Sequence, residues 1–326
     1  MKHRNETAAE TIWKEWYGEQ KRYYTLNHFL KQKFGQRVFK LSLDAGFTCP
    51  NRDGTKGRGG CSFCSAKGSG DFVPDSGLGI TEQMRLGVEL VRKKWPDGKY
   101  IAYFQAYSNT YAPVSVLRKR YEEALAFPDV VGLAIATRPD CLSEEVCALL
   151  AEYSRKTFLW VEVGLQSIHP RTMDALHLCY SYADFLQAAA RLRAYGIPLC
   201  VHLILGLPGE TAADMHQSVE AVSELRPFGI KLHMLHIVQG TRLGKQYEKQ
   251  PFSLLTLEEY VSLAADLLEK LPPQTVIHRI TGDGPKELTL APRWTFHKLR
   301  VLSEIDRVLR ERDSWQGKFF MRMDGK

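Results

Sequence analysis

Short apolar runs rich in β-branched residues recur along the chain. Between them lie longer stretches in which apolar positions return every three or four residues. The runs predict strands near 38–43, 100–104, 131–136, 158–165, 199–205 and 230–237, and the helical periodicity predicts helices at 81–94, 115–126, 143–153, 182–195 and 211–225. Thr211 followed by Asp214 has the spacing of a capping box, which marks where the last of these helices begins. Strands that alternate with helices imply an α/β fold with a parallel sheet, and six such units imply a partial (β/α)6 barrel.

The pattern changes at both ends. Residues 1–36 read as a helical N-terminal extension, residues 37–245 as the barrel and residues 246–326 as an α+β C-terminal extension packed on it. In that extension Thr256 and Glu259 form a second capping box ahead of EEYVSLAADLLEKL, a helix. TVIHRITGD reads as a short strand ending in a Gly-Asp-Gly turn, and residues 292–312 read as one long amphipathic basic helix. The N-terminus, MKHRNETAAE, has no apolar signal core, and no apolar run approaches the ~20 residues of a membrane span. The expectation is a cytoplasmic protein with no membrane partner.

Charge sharpens the picture of the ends. The net charge is +7, yet residues 1–40 hold nine Lys/Arg against four Glu and residues 286–326 hold ten against six acids. Two basic ends therefore flank a nearly neutral middle, an arrangement suited to a polyanion. Arg293, Arg300 and Arg307 recur every seven residues, with Lys298 and Arg310 nearby, and such a row neutralises phosphates without reading sequence. Trp294, Phe296 and Trp315 are interspersed and suit stacking on an unpaired base. The competing reading is a helix whose aromatics cover the barrel and whose arginines face water.

Seven cysteines, an odd number without a secretion signal, do not build a disulfide scaffold. Cys141, Cys147, Cys179 and Cys200 sit among apolar residues and read as buried small side chains. Cys49, Cys61 and Cys64 are different. They share one loop, CPNRDGTKGRGGCSFC, directly after the first strand, in a C-x11-C-x2-C spacing. Thiolate is the usual ligand of iron–sulfur clusters, and three without a fourth imply a four-iron cluster with one iron open. A zinc site completed by a remote histidine, or a redox Cys-x-x-Cys, competes with that reading.

The loop, together with ATRPDCL (136–142), VEVGLQS (161–167) and HLILGLPGET (202–211) in that order on strands, resembles the radical S-adenosylmethionine (SAM) enzymes. Within them it is similar to the bacterial branch related to the catalytic subunit of Elongator, without an acetyltransferase domain. The resemblance spans about residues 35–245 and implies the partial TIM-like barrel of that superfamily. It implies a [4Fe-4S] cluster on Cys49, Cys61 and Cys64 whose open iron holds SAM, reductive cleavage to a 5′-deoxyadenosyl radical, and a one-electron donor such as flavodoxin or ferredoxin. It further implies that Phe63 shields the cluster and that Gln105, Ala106 and Tyr107 occupy the place of the family's Gly-Gly-Glu segment, although the Glu is absent. Thr137, Gln166 and Ser167 end strands beside SAM. Glu162 meets the ribose hydroxyls unless it pairs with Arg138. Arg193 balances the methionine carboxylate, and Leu205 and Gly206 form the adenine edge. Relatives of this type act on the wobble uridine of tRNA. The resemblance therefore implies tRNA as partner, with conversion of a carboxymethylaminomethyl group to aminomethyl as the candidate reaction. A radical SAM enzyme for a small metabolite or peptide, and a non-enzymatic zinc or iron–sulfur module, are the alternatives.

Overall fold

A computed structural model describes residue 17 and residues 21–68, 70–74 and 76–320. Residues 1–16 and 18–20 of the expected N-terminal extension lie outside the described residues. After a helix α1 (Leu26–Phe34), six strands follow in chain order: β1 (Val38–Leu43), β2 (Lys99–Phe104), β3 (Val130–Thr137), β4 (Phe158–Gln166), β5 (Leu199–Leu205) and β6 (Gly229–Met234). The helices between them are α2 (Ile80–Arg92), α3 (Val114–Leu125), α4 (Glu144–Lys156), the short α5 (Pro170–Ala175), α6 (Tyr182–Ala194) and α7 (Ala212–Glu224). Beyond them come β7 (Ile237–Val238), α8 (Arg242–Lys249), α9 (Leu257–Lys270), β8 (Val276–Arg279), β9 (Thr289–Ala291) and α10 (Lys298–Glu311).

The sheet has seven parallel strands in the order β1-β2-β3-β4-β5-β6-β8, curled into a half-barrel with helices outside. The expected strand in TVIHRITGD is β8. It does not pack on the barrel but extends its sheet, pairing Gly229 with Val276 and Lys231 with Arg279. The expected sixth strand is shorter than the apolar run that announced it. It stops at Met234, and Ile237–Val238 turns away to pair antiparallel with β9. The basic stretch is also interrupted. Arg293–Phe296 is a 3-10 turn after Pro292, and His297 (φ −96°, ψ 53°) leaves helical geometry before α10 starts.

Side-chain alternation sorts each strand into two faces. Outward residues, such as Leu41, Phe104, Ile135, Val161 and Leu203, join the main core beneath the helices. Inward residues near the strand starts, Val38, Ile101, Ala134, Trp160, Cys200 and Val276, form a second apolar layer with Leu26 and Leu30 of α1. Phe29 adds its ring against Phe158 and Phe228, at 5.8 and 5.1 Å. The helix α1 therefore plugs the barrel from below and leaves the carboxyl ends of the strands open. Both expected capping boxes form, at Thr211/Asp214 and Thr256/Glu259, and Ser181/Asp184 makes a third that starts α6.

Candidate active site

The loop from Cys49 to Cys64 is ordered by its own backbone. Arg52 N–H donates to the Cys49 carbonyl (2.8 Å), Gly60 N–H to that of Asn51 (2.8 Å) and Cys64 N–H to that of Cys61 (3.0 Å). It is also stapled to the segment after α5. Ser62 N–H reaches the Leu176 carbonyl (2.8 Å), and the buried Asn51 amide donates to the His177 carbonyl (2.6 Å), 3.5 Å from Cys61 Sγ. Only glycine fits at position 57, where a Cβ would overlap Asn51 Oδ1 and lie 2.9 Å from Cys179 Sγ. Cys179 is half-buried against this loop, in contrast to the fully buried Cys141, Cys147 and Cys200.

Cys49, Cys61 and Cys64 all line one cavity of about 530 Å³ at the carboxyl ends of the strands. Among the described residues no fourth cysteine lines it. Burial, and then Cys64 beside it, push the Cys61 thiol up to about 12. Such a thiol stays protonated at neutral pH unless a metal takes the proton's place. Three converging sulfurs fit a four-iron cluster with one iron left to a ligand within the cavity. The cavity's histidines, His202, His233 and His236, come from β5, from β6 and from the turn after it.

Of the other sequence candidates, Phe63, Gln105, Tyr107, Thr137, Glu162 and Gln166 line the same cavity. Tyr107 (φ 59°) donates through its hydroxyl to the Ala66 carbonyl at 2.8 Å, tying β2 to the return of the cysteine loop. The Thr137 hydroxyl meets that of Thr110 at 2.6 Å. Gln166 (φ 70°) folds back over Gly164, where a Cβ would fall 2.5 Å from its amide nitrogen. Tyr180 donates to the Gly164 carbonyl at 2.8 Å, and the Arg138 guanidinium lies 4.8 Å from the Tyr180 ring.

Five candidates fall outside the cavity lining, each for a physical reason. Ala106 is buried against Gly70. Ser167 is buried and donates to Glu210, outside the lining. Leu205 has the opposite parity to the cavity residues His202 and Ile204 and joins the outer core, and Gly206 follows it, its N–H on Met215 Sδ at 3.1 Å. Arg193 is exposed on the outer helix α6, where it donates to the Leu225 carbonyl at 2.5 Å. His233 and His236 stand three apart, a spacing that on one continuous strand puts them on opposite faces. Both line the cavity, because β6 ends at Met234 and the strand parity ends with it.

Glu162 does not pair with Arg138, whose guanidinium forks onto Asp140 with both contacts at 2.9 Å. It is wholly buried inside the barrel. Lys231 and His202 (3.0 Å) meet one oxygen. Trp160 Nε1 (2.9 Å), Lys40 and His278 (both 3.7 Å) surround the other. Burial opposes ionisation, but Lys231, then Lys40, His202 and His278 hold this carboxyl well below the usual range. Its acceptor capacity is thus filled by the protein. Arg52, Tyr180, His202, Lys231 and Arg279 line the cavity without having been read from sequence. The usable signal was a lone polar residue inside an apolar strand, as in GIKLHM.

The C-terminal basic residues divide. Lys298 is bound to Asp283, and Arg307 is clamped by Glu304 (2.9 Å) and Glu311 (2.7 Å), whereas Arg293, Arg300 and Arg310 are exposed. Trp294 donates to the Leu255 carbonyl (2.9 Å) and packs on Tyr260, and Trp315 is buried. Both tryptophans are therefore packing residues. No helix among the described residues is long and apolar enough to cross a membrane.

Residues 51–222 match the family model of the radical SAM superfamily, and residues 227–311 match that of the radical SAM C-terminal domain. The Bacillus subtilis (strain 168) protein YtqA is 48% identical over 305 residues, covering 94% of this chain and 95% of its own. The tRNA uridine(34) acetyltransferase of Dehalococcoides mccartyi is 27% identical over 158 residues, 48% of this chain and 34% of the relative. Among solved structures, the archaeal Methanocaldococcus infernus Elp3 lacking residues 1–46 superimposes with a TM-score of 0.65 at 16% identity, over 86% of this chain and 64% of that one.

Proposed function

Because the chain belongs to the radical SAM superfamily, as an enzyme whose cofactors are a [4Fe-4S] cluster and SAM, we propose that Cys49, Cys61 and Cys64 ligate the cluster and that the substrate is the C5 side chain of the wobble uridine in tRNA. When bound, these cofactors supply reductive sulfonium cleavage and a hydrogen-abstracting 5′-deoxyadenosyl group. The protein's part is to hold, orient and exclude water. Asn51 and Arg52 brace the sulfurs. Phe63 covers the loop. Gln105, Tyr107, Thr137 and Gln166 line the space in which SAM would lie. A one-electron donor such as flavodoxin or ferredoxin is the partner required, in the cytoplasm.

The observation that carries the substrate reading is the match of 158 residues to a tRNA uridine(34) acetyltransferase. The exposed Arg293, Arg300 and Arg310 support it as backbone contacts. We read the reaction as maturation of an existing side chain, carboxymethylaminomethyl to aminomethyl. Its methylene lies between an amine and a carboxylate, so hydrogen removal there leaves a stabilised carbon radical. Loss of one further electron to the one-electron carrier gives the imine, and water cleaves its C–N bond to leave the aminomethyl group and glyoxylate. Nucleoside mass spectrometry of tRNA from a deletion strain tests this. Accumulation of the carboxymethylaminomethyl nucleoside is expected, and an unchanged wobble profile rejects the reading.

A further inference from the structure

The cavity's second wall carries more positive charge than it needs for its own acids. The strand register aligns His202 with Lys231 and Lys231 with Arg279, so three neighbouring strands set these side chains in one row across the inner face. Lys40 reaches the same interior from β1 and lies 3.7 Å from Glu162. Against Lys40, Lys231 and Arg279 stands the single buried carboxylate Glu162. The next acid, Asp283, is shared between Arg279 (3.1 Å) and Lys298. Four cations thus face two carboxylates. The innermost pair, Lys231 and Glu162, is buried away from screening by salt, whereas Arg279, Lys298 and Asp283 stand about a third exposed at the rim.

The titratable groups around them report the same imbalance. Burial, then Lys231, lower His202 to about 4. Burial, then His202 and Arg279, lower His233 well below its usual value. Burial, then Lys231, bring Lys40 down to about 8. Glu162, Cys200 and His278 are close enough together to bind a metal, but Lys231 and Lys40 already stand where the ion's charge would act. Lys231 has three N–H donors, of which Glu162 and Tyr103 (3.0 Å) accept two. Among the described residues Arg279 pairs with Asp283, and it also lines the cavity.

We infer that the β5–β6–β8 wall is a carboxylate receptor, in which Arg279 and Lys231 hold the anionic end of the substrate's side chain across the cavity from the cysteine loop. The nucleoside named in the test rests on the wobble-uridine reading, whereas the receptor itself rests on the register and the charge. A carboxylate held here leaves the adjoining methylene toward the space between the two walls. A terminal carboxylate, and not its amide, is then the specificity-determining group.

The test is equilibrium binding by calorimetry to anaerobically reconstituted holoenzyme. The probes are carboxymethylaminomethyluridine, its uncharged carboxamide, N-benzylglycine and, separately, SAM. Wild-type enzyme is expected to prefer carboxylate to amide by about ten- to a hundredfold, the range of a charge-assisted hydrogen bond. Arg279→Gln abolishes that preference, Arg279→Lys restores part of it, and both leave SAM affinity within about twofold. Arg279 is about a third exposed, so its variants keep the buried Glu162–Lys231 pair and the fold, which thermal unfolding verifies. If Arg279→Gln weakens SAM and the carboxylate probe alike, the wall serves the cofactor and the inference fails. It fails equally if no probe shows a carboxylate preference. If N-benzylglycine shows the Arg279-dependent preference while the nucleoside does not bind, the receptor stands and the wobble-uridine substrate falls.

Discussion

One cavity is walled by two regions built on different physics. The cysteine loop is irregular backbone, stapled by its own carbonyls and shaped by glycine, and its three thiols line the cavity. The β5–β6–β8 wall is hydrogen-bonded sheet, in which register, with one shift between β6 and β8 that sets Arg279 opposite Lys231, brings His202, Lys231 and Arg279 into a row. A loop can hold soft ligands at any spacing once local hydrogen bonds order its backbone. A sheet holds charges rigidly, and each buried charge must be compensated within the fold. The two regions should therefore fail differently when perturbed, the first in chemistry and the second in stability.

The largest expected effect is on the loop. Cys64→Ala removes one of three sulfurs, so SAM cleavage by the reconstituted enzyme should drop to background and iron content should fall below about four per chain. Thermal stability of the apo chain should barely change, because Cys64 is neither in the apolar core nor wholly buried. A cysteine variant that kept cleaving SAM would break the comparison at once.

Acid should attack the other wall. His202 and His278 are both lowered to about 4, by burial first and with the neighbouring lysines adding to it. Their ordinary value is 6.5, so between pH 6.5 and 4 the unfolded chain takes up protons that the folded chain refuses. His233, held well below its usual value on the same wall, behaves alike, so stability is complete above pH 6.5 and falls as the pH drops toward 4, with a slope approaching about three protons. Glu162, whose carboxyl is held low by the same lysines, adds to the loss below its ordinary 4.5. Urea unfolding of the apo protein across this range measures the slope. His202→Gln should reduce it by about one proton, and an unchanged slope would remove His202 from the account.

Next in size is Lys231→Met. Removing one member of a buried ion pair leaves the other uncompensated, at a cost of about 3–5 kcal/mol. Glu162 would retain Lys40 and His202, which places the expected loss toward the lower end. The same change in a Glu162→Gln background should cost clearly less, since no buried carboxylate is then stranded. Equal losses in both backgrounds would mean that Lys231 contributes packing rather than charge compensation.

The two walls also differ in how far they could be read beforehand. Six strands and the crossover helices follow from periodicity, and the loop announces itself because its three cysteines are close in sequence. The row His202–Lys231–Arg279 spans almost eighty residues of chain and exists only through register. Lys231 was visible as a lone cation in an apolar strand, but Arg279 could not be placed without knowing that β8 joins the sheet. Motifs also fix a position along a strand without fixing its face. That is why Gln166 and Ile204 line the cavity while Ser167 and Leu205 point elsewhere. His236 escaped the parity argument because β6 ends two residues before it.

Arg193 supplies the smallest effect and a sharp control. The resemblance to radical SAM enzymes implies that it is a counter-ion for the methionine carboxylate. The structure sets it in the last turn of α6, exposed on the outer layer, with its guanidinium on the Leu225 carbonyl at the end of α7. A cation there interacts with a helix carboxyl terminus, a surface contribution of about 0.3–1 kcal/mol. Arg193→Gln should therefore lower stability by no more than that and leave SAM affinity within about twofold, measured by calorimetry on the holoenzyme. A tenfold loss of SAM affinity would require the α6–α7 layer to communicate with the cavity. The division of labour between an inner wall that binds and an outer layer that only supports would then have to be redrawn.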